Sequence, residues 1–216
     1  MNWKLPNQLT VGRLALAVVF FVLLGLYDPL PDQGGALLLW SFALYIVAGI
    51  TDVLDGYLAR KWNLQTAFGR ITDPFVDKVL VVGAFAMFAG GNFAFSPVVG
   101  EFERGLGHWV TGGMASGVQA WMVVAVMARE FIVSGVRGYS ESQGQKFPAT
   151  VWGKLKMFTQ SCALCMILLQ LAVGPQCTWM IVLKLVLVWL SVAVTIFSGL
   201  AYVGKARKLM TAGEDR

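Results

Sequence analysis

Four aspartates at helical spacing are the residues of this chain best suited to chemistry. Asp52 and Asp55 are three apart and Asp73 and Asp77 four apart, all within the run D-V-L-D-G-Y-L-A-R-K-W-N-L-Q-T-A-F-G-R-I-T-D-P-F-V-D. On helices each spacing puts both carboxylates on one face, and two helices joined by a short connection would bring the faces together. Four converging carboxylates repel one another unless cations neutralise them. Hard oxygen donors suit Mg2+ or Mn2+, which keep coordination positions open for substrate phosphates. Two such ions, clamping the attacking and leaving oxygens, are the usual arrangement for phosphoryl transfer. Gly56, beside Asp55, leaves space for a ligand to approach the backbone. Arg60, about one and a half turns further on, carries a planar fork able to clamp a pyrophosphate.

The elements that must hold these residues are read from composition. The 216 residues are 57% hydrophobic and 13% charged, with a mean hydropathy of +0.67. A soluble domain carries about 25% charged residues, so the class is all-α and integral to a membrane. A span takes about 20 apolar residues, which leaves room for six in one domain covering residues 1–216. The apolar runs place them at about 9–27, 36–59, 69–89, 114–139, 150–173 and 179–202. Pro6 and Asn7 precede the first span, and Pro74 is expected in the first turn of the third, where its missing N–H is harmless. Residues 28–35 form a turn rich in Asp, Pro and Gly, and residues 90–113, with Glu101, Glu103, Arg104 and His108, form an exposed loop. Carboxylates at the ends of such spans are costly and mark function by default.

Orientation follows from the basic residues. With a cytoplasmic N-terminus, only Arg104 of the 17 Lys and Arg lies in an outer loop, and Lys184 lies in the outer part of the last span. All the others face the cytoplasm, as the positive-inside rule requires. The aspartate run and both termini are therefore expected on the cytoplasmic side. The apolar stretch behind Lys4 and Arg13 imitates a signal peptide but lacks a small-residue cleavage site, so an uncleaved first span is expected. The net charge of +5 suits anionic lipid or a phosphorylated substrate, and no nucleic-acid partner is expected. Cys162 and Cys165 form a C-x-x-C without the turn or polar flanks of a redox or zinc site, and read as small core residues.

The aspartate run fits D-x2-D-G-x2-A-R-x8-G-x3-D-x3-D at every position, through Asp52, Asp55, Gly56, Ala59, Arg60, Gly69, Asp73 and Asp77. It resembles the signature of the CDP-alcohol phosphotransferases, membrane enzymes of phospholipid synthesis. The segments L-P-N-Q-L-T-V-G-R, D-P-F-V-D-K-V-L-V, A-R-E-F-I-V-S-G-V-R and G-K-L-K-M-F-T-Q look like the bacterial phosphatidylglycerophosphate synthase branch and extend the likeness over nearly the whole chain. One departure is Met157, where that branch leads one to expect threonine; it bears on the acceptor side and leaves the metal site untouched.

The resemblance implies six transmembrane helices, a homodimer in the bacterial inner membrane, and a cytoplasmic site for two Mg2+ or Mn2+ ions. By the family pattern Asp52 and Asp73 bridge both ions, Asp55 holds the first, and Asp77 touches the second and deprotonates the acceptor hydroxyl. Gly56, Ala59, Arg60, Thr66 and Gly69 take the CDP-lipid side, joined at the headgroup by Asn7, Thr10 and Arg13. The implied reaction moves the phosphatidyl group of CDP-diacylglycerol to glycerol 3-phosphate and expels CMP.

A phosphorylated acceptor needs a second anion site, and Arg129, Arg137, Lys154 and Lys156 are the cytoplasmic-side cations available on helices four and five. Snorkelling and lipid-headgroup contact are the competing roles for them. Glu130 reads as a structural ion-pair partner of Arg129, His108 as a loop residue, and Lys78 as a tuner of Asp77 or as bound to an intrahelical or interfacial partner. Inositol phosphate, serine and phosphatidylglycerol stay open as acceptors, because the motif reads the shared CDP donor. A cation transporter is a distant alternative, disfavoured because the carboxylates cluster at one face and no halves repeat.

Overall fold

A computed structural model describes the backbone of residues 5–28, 34–61, 67–94, 105, 108–142, 151–174 and 177–214; within these, the side chains of 5–10, 55–61, 67–74, 77, 108, 141 and 205–214 lie outside the described residues. All regular elements among the described residues are helical: α1 Leu5–Gly25, α2 Gly34–Lys61, α3 Ala67–Phe88, a 3₁₀ turn Gly91–Phe93, α4 His108–Thr111, α5 Ala120–Ser142, α6 Val151–Val173 and α7 Thr178–Glu214. Ala94 and Met114 add a single antiparallel bridge.

Among the described residues three helices are long and apolar enough to cross a membrane, through Gly34–Leu54, Val151–Val173 and Thr178–Gly204; Val11–Gly25 and Lys78–Phe88 are shorter apolar stretches. Each long helix turns one stripe inward at spacings of three and four, the period of an α-helix. On α1 the stripe is Arg13, Ala17, Phe20 and Leu24; on α2 it is Leu38, Ser41, Tyr45 and Ala48; on α7 it is Ile181, Leu185, Val188, Val192, Thr195, Ser198 and Tyr202. The outward faces expose Val18, Val22, Trp40, Phe131, Phe197 and Leu200. A soluble monomer rarely presents so much apolar surface, whereas hydrocarbon accepts it.

The most extensive helix pair is α6 with α7; α1 lies against both α2 and α3, α2 against α6, and α5 against α7 and α3. Small and polar residues join these faces. Tyr45 donates its hydroxyl to Ser161 at 3.1 Å, and Gln160 donates to Thr195 at 3.0 Å. Cys162, Cys165 and Cys177 are free and half-buried.

Several expected boundaries move, each for a physical reason. Helix α1 starts at Leu5, so Pro6 and Asn7 lie inside it; a helix's first N–H groups have no intrahelical partner, and Pro6 sacrifices nothing there. Helix α3 starts at Ala67, which puts Pro74 two turns in rather than in the first turn. The fourth span begins at Ala120 rather than 114, because Gly112, Gly113 and Gly117 adopt φ of 62°, 77° and 73°, conformations that suit glycine and break a helix. Within the segment expected as an exposed loop, Glu101, Glu103 and Arg104 lie outside the described residues and Trp109 is exposed, but Phe93 is core: it is buried, stacks on Tyr27 at 4.8 Å and meets Phe88 edge-on at 5.0 Å. Lys184 ties this end together from α7, donating to the carbonyl of Ala115 and to Gln170, each at 2.6 Å. Helix α6 stops at Gly174, whose φ of 89° is the left-handed geometry of a helix C-terminus. Helix α7 runs on past the expected 202 to Glu214, since Lys, Ala, Arg, Leu and Met are all good helix formers.

Candidate active site

The four aspartates stand on helical backbone, Asp52 and Asp55 in the last turns of α2 and Asp73 and Asp77 in the early turns of α3. The inward stripe of α2, through Tyr45 and Ala48, reaches Asp52 next. The same period carried along the helix arrives at Asp55 and Ala59. On α3 the stripe is Val76, Leu80, Ala84 and Phe88, with Asp73 three residues before Val76 and Asp77 three before Leu80. Gly56, Ala59, Arg60 and Gly69 likewise lie on helical backbone, as do Asn7 and Thr10 on α1. The side chains of Asp55, Asp73, Asp77, Arg60, Asn7 and Thr10, and the whole of Thr66, lie outside the described residues.

Asp52 is held from α1. Arg13 Nη1 donates to Asp52 Oδ1 at 2.5 Å, joining α1 to α2. The Arg13 side chain is only 2% exposed and that of Asp52 is 38% exposed. A buried guanidinium needs a partner, and the first aspartate of the motif supplies one. Arg13, expected at the lipid headgroup, is thus found on the motif itself. Among the described residues no group of three or more His, Cys, Asp or Glu comes close enough to hold a metal.

A second polar centre joins α5, α6 and α7. Glu130 Oε1 accepts from Arg129 Nη1 at 2.9 Å and also from Lys156 Nζ on α6. Arg129 Nη2 donates to Ser198 Oγ at 2.7 Å, and the guanidinium lies 5.5 Å from the Tyr202 ring centroid. Gly199 makes room for it, since a Cβ there would sit 3.2 Å from Arg129 Cγ. Arg129, Glu130 and Lys156 are 8%, 7% and 5% exposed. The cluster reaches α3 through Ser134, whose hydroxyl donates to the Glu130 carbonyl and accepts from Lys78 Nζ.

The four cations expected at the acceptor are therefore placed in two ways. Arg129 and Lys156 meet in the interior; Arg137 and Lys154 are exposed. Lys154 precedes Lys156 by two positions, about 200° around the helix, so the two address different sides of α6. Met157, the departure from the family pattern, is exposed and stands apart from the buried cluster. Pairing of Glu130 with Arg129 was legible in sequence. The share taken by Lys156 was not, nor were Ser198, Tyr202 and the Lys78–Ser134 link; the sole local signal was the helical spacing of Ser134 from Glu130.

The sequence profile described as CDP-alcohol phosphatidyltransferase matches residues 3–197. The chain belongs to that family. The matched stretch holds both aspartate pairs, Arg13, Lys78 and the Arg129–Glu130–Lys156 centre. Several relatives align over nearly their full length. The CDP-diacylglycerol–glycerol-3-phosphate 3-phosphatidyltransferase of Rickettsia bellii (strain RML369-C) is 30% identical over 205 residues, covering 95% of this chain and 96% of its own. Proteins of the same name from Bacillus subtilis (strain 168), 30% identical over 220 residues with 94% and 95% covered, and from Haemophilus influenzae, 30% identical over 209 residues with 96% and 95% covered, are similar to the same extent.

Proposed function

We propose that this chain transfers the phosphatidyl group of CDP-diacylglycerol to glycerol 3-phosphate, forming phosphatidylglycerophosphate and CMP. The observation that carries this reading is the buried pair Arg129 and Lys156, linked through Ser134 to Lys78, the residue that follows Asp77. Positive charge suited to a phosphorylated acceptor and the carboxylate suited to its hydroxyl thus belong to one end of the bundle. The names of the relatives support the same donor and acceptor.

The donor set fits a divalent metal. Asp52 offers a partly exposed carboxylate, and Asp55 stands on the helical backbone of α2 and Asp73 and Asp77 on that of α3; all are hard oxygen donors. Asp52, Asp55, Asp73 and Asp77 would hold two Mg2+ or Mn2+ ions, which when bound stabilise charge on the phosphate oxygens.

Asp77 takes the proton of the acceptor hydroxyl. The acceptor oxygen bonds to the lipid-side phosphorus as the bond to CMP breaks, and CMP leaves with that electron pair. Gly56, Ala59, Arg60, Thr66 and Gly69 bind the CDP moiety, with Asn7 and Thr10 at the lipid headgroup. Arg129 and Lys156 bind the acceptor phosphate from within, while Arg137 and Lys154 attract it at the rim. The chain sits in the bacterial inner membrane with six spans, a cytoplasmic site and cytoplasmic termini, and pairs as a homodimer.

The test is release of CMP by purified protein given CDP-diacylglycerol, Mg2+ or Mn2+ and glycerol 3-phosphate. Release that requires all three supports the reading. Release that persists in excess chelator, or never begins when glycerol 3-phosphate is added, overturns it.

A further inference from the structure

The geometry points to Glu130 as a positioning residue that holds Arg129 and Lys156 ready for the acceptor phosphate. The inference rests on the proposed acceptor site and adds to it a residue of the opposite sign. A carboxylate among anion-binding cations is at first sight a handicap, since it cancels charge and repels phosphate. Its bonding shows what it does instead. One oxygen accepts from Arg129 on its own helix and from Lys156 on α6. Two buried cations brought together without that oxygen repel each other and bear their desolvation unaided. With it, the triad keeps a net charge of one and a fixed geometry.

The remaining groups are arranged to match. Arg129 is fixed on its far side by Ser198 and flanked by the Tyr202 ring, so its guanidinium cannot swing to follow a substrate. Lys78 reaches the cluster from α3 by bonding Ser134, one turn from Glu130. Lys78, Arg129 and Lys156 against Glu130 leave a net charge of two, which matches a phosphate monoester dianion. An incoming phosphate meets cations already placed, and little reorganisation is left to oppose binding. A merely structural ion pair predicts a different outcome: loss of stability with no preference between the two substrates.

Three variants decide it in the full-length purified enzyme: Glu130→Gln, Glu130→Asp and Lys156→Met, with KM for each substrate and kcat as readouts. Glu130→Gln is expected to raise KM for glycerol 3-phosphate by about tenfold or more, as loss of a buried charge partner does. KM for CDP-diacylglycerol stays at the parental value and kcat within about threefold. Glu130→Asp keeps the charge and falls between Gln and the parent; if Glu130→Gln does not fold, a raised acceptor KM in Glu130→Asp decides the matter by the same criterion. If Lys156→Met raises the acceptor KM while the Glu130 variants leave it unchanged or lower it, the positioning role is overturned and the acceptor site stands. If neither residue affects the acceptor KM, both are overturned.

Discussion

Arg13 and Asp52 face each other across α1 and α2, with Nη1 2.5 Å from Oδ1. They are 39 positions apart, and each stands at the limit of the described part of its helix's inward stripe. The guanidinium is nearly sealed from solvent, whereas the carboxylate is over a third exposed at 38%. One oxygen of the first aspartate in the motif is thereby given a fixed direction by a residue outside the motif. Positioning of this kind by outer groups tunes ligand carboxylates generally.

Replacing the guanidinium with a neutral amide, Arg13→Gln, is expected to lower stability only modestly. The exposed side of the pair is screened by solvent, which limits the loss to about 1 kcal/mol. Turnover at saturating metal should fall more, by about tenfold, because Asp52 loses its orientation. Parallel thermal denaturation and CMP-release assays check this. Unchanged turnover would show that Arg13 serves packing alone.

Asp77→Asn keeps shape and removes the proton acceptor. Turnover should drop by about 10²–10⁴-fold, the usual contribution of a general base, while CDP-diacylglycerol still binds. Equilibrium binding of the donor beside single-turnover chemistry separates the two, and near-normal turnover removes Asp77 from the role of base.

Burial distinguishes Lys156 from Lys154. Lys156 is 5% exposed and bonded to Glu130, whereas Lys154 is exposed on another side of α6. Lys156→Met should therefore raise the acceptor KM by about tenfold or more, and Lys154→Ala by about threefold at most, the range of an exposed charge. Salt should weaken the contribution of Lys154 and spare that of Lys156. The reverse ranking would place the acceptor phosphate at the rim.

Much of this architecture was legible in the residues. Helical spacing at Asp52, Asp55, Asp73 and Asp77 and apolar length at α2, α6 and α7 are local properties, readable without knowing how helices meet. The ties between helices were not legible in the same way. Whether Arg13 points at a headgroup or at Asp52 depends on how α1 and α2 are rotated against each other, which packing along Ala17, Phe20, Tyr45 and Ala48 decides. Lys154 and Lys156 look equivalent in a string, and the helical turn between them separates interior from surface. Phe93 read as loop because glycines precede it, yet Gly90, where a Cβ would sit 2.9 Å from the Met87 carbonyl oxygen, lets the chain turn there and lay the ring on Tyr27 and Phe88.

The most direct test of the central claim is a panel of acceptors offered to the purified protein with labelled CDP-diacylglycerol and divalent metal. Glycerol 3-phosphate, serine, inositol phosphate and phosphatidylglycerol share the donor half of the reaction and differ only at the acceptor. The expected result is labelled phosphatidylglycerophosphate and CMP with glycerol 3-phosphate, and no comparable product with the others. Transfer to serine, inositol phosphate or phosphatidylglycerol but not to glycerol 3-phosphate would contradict it.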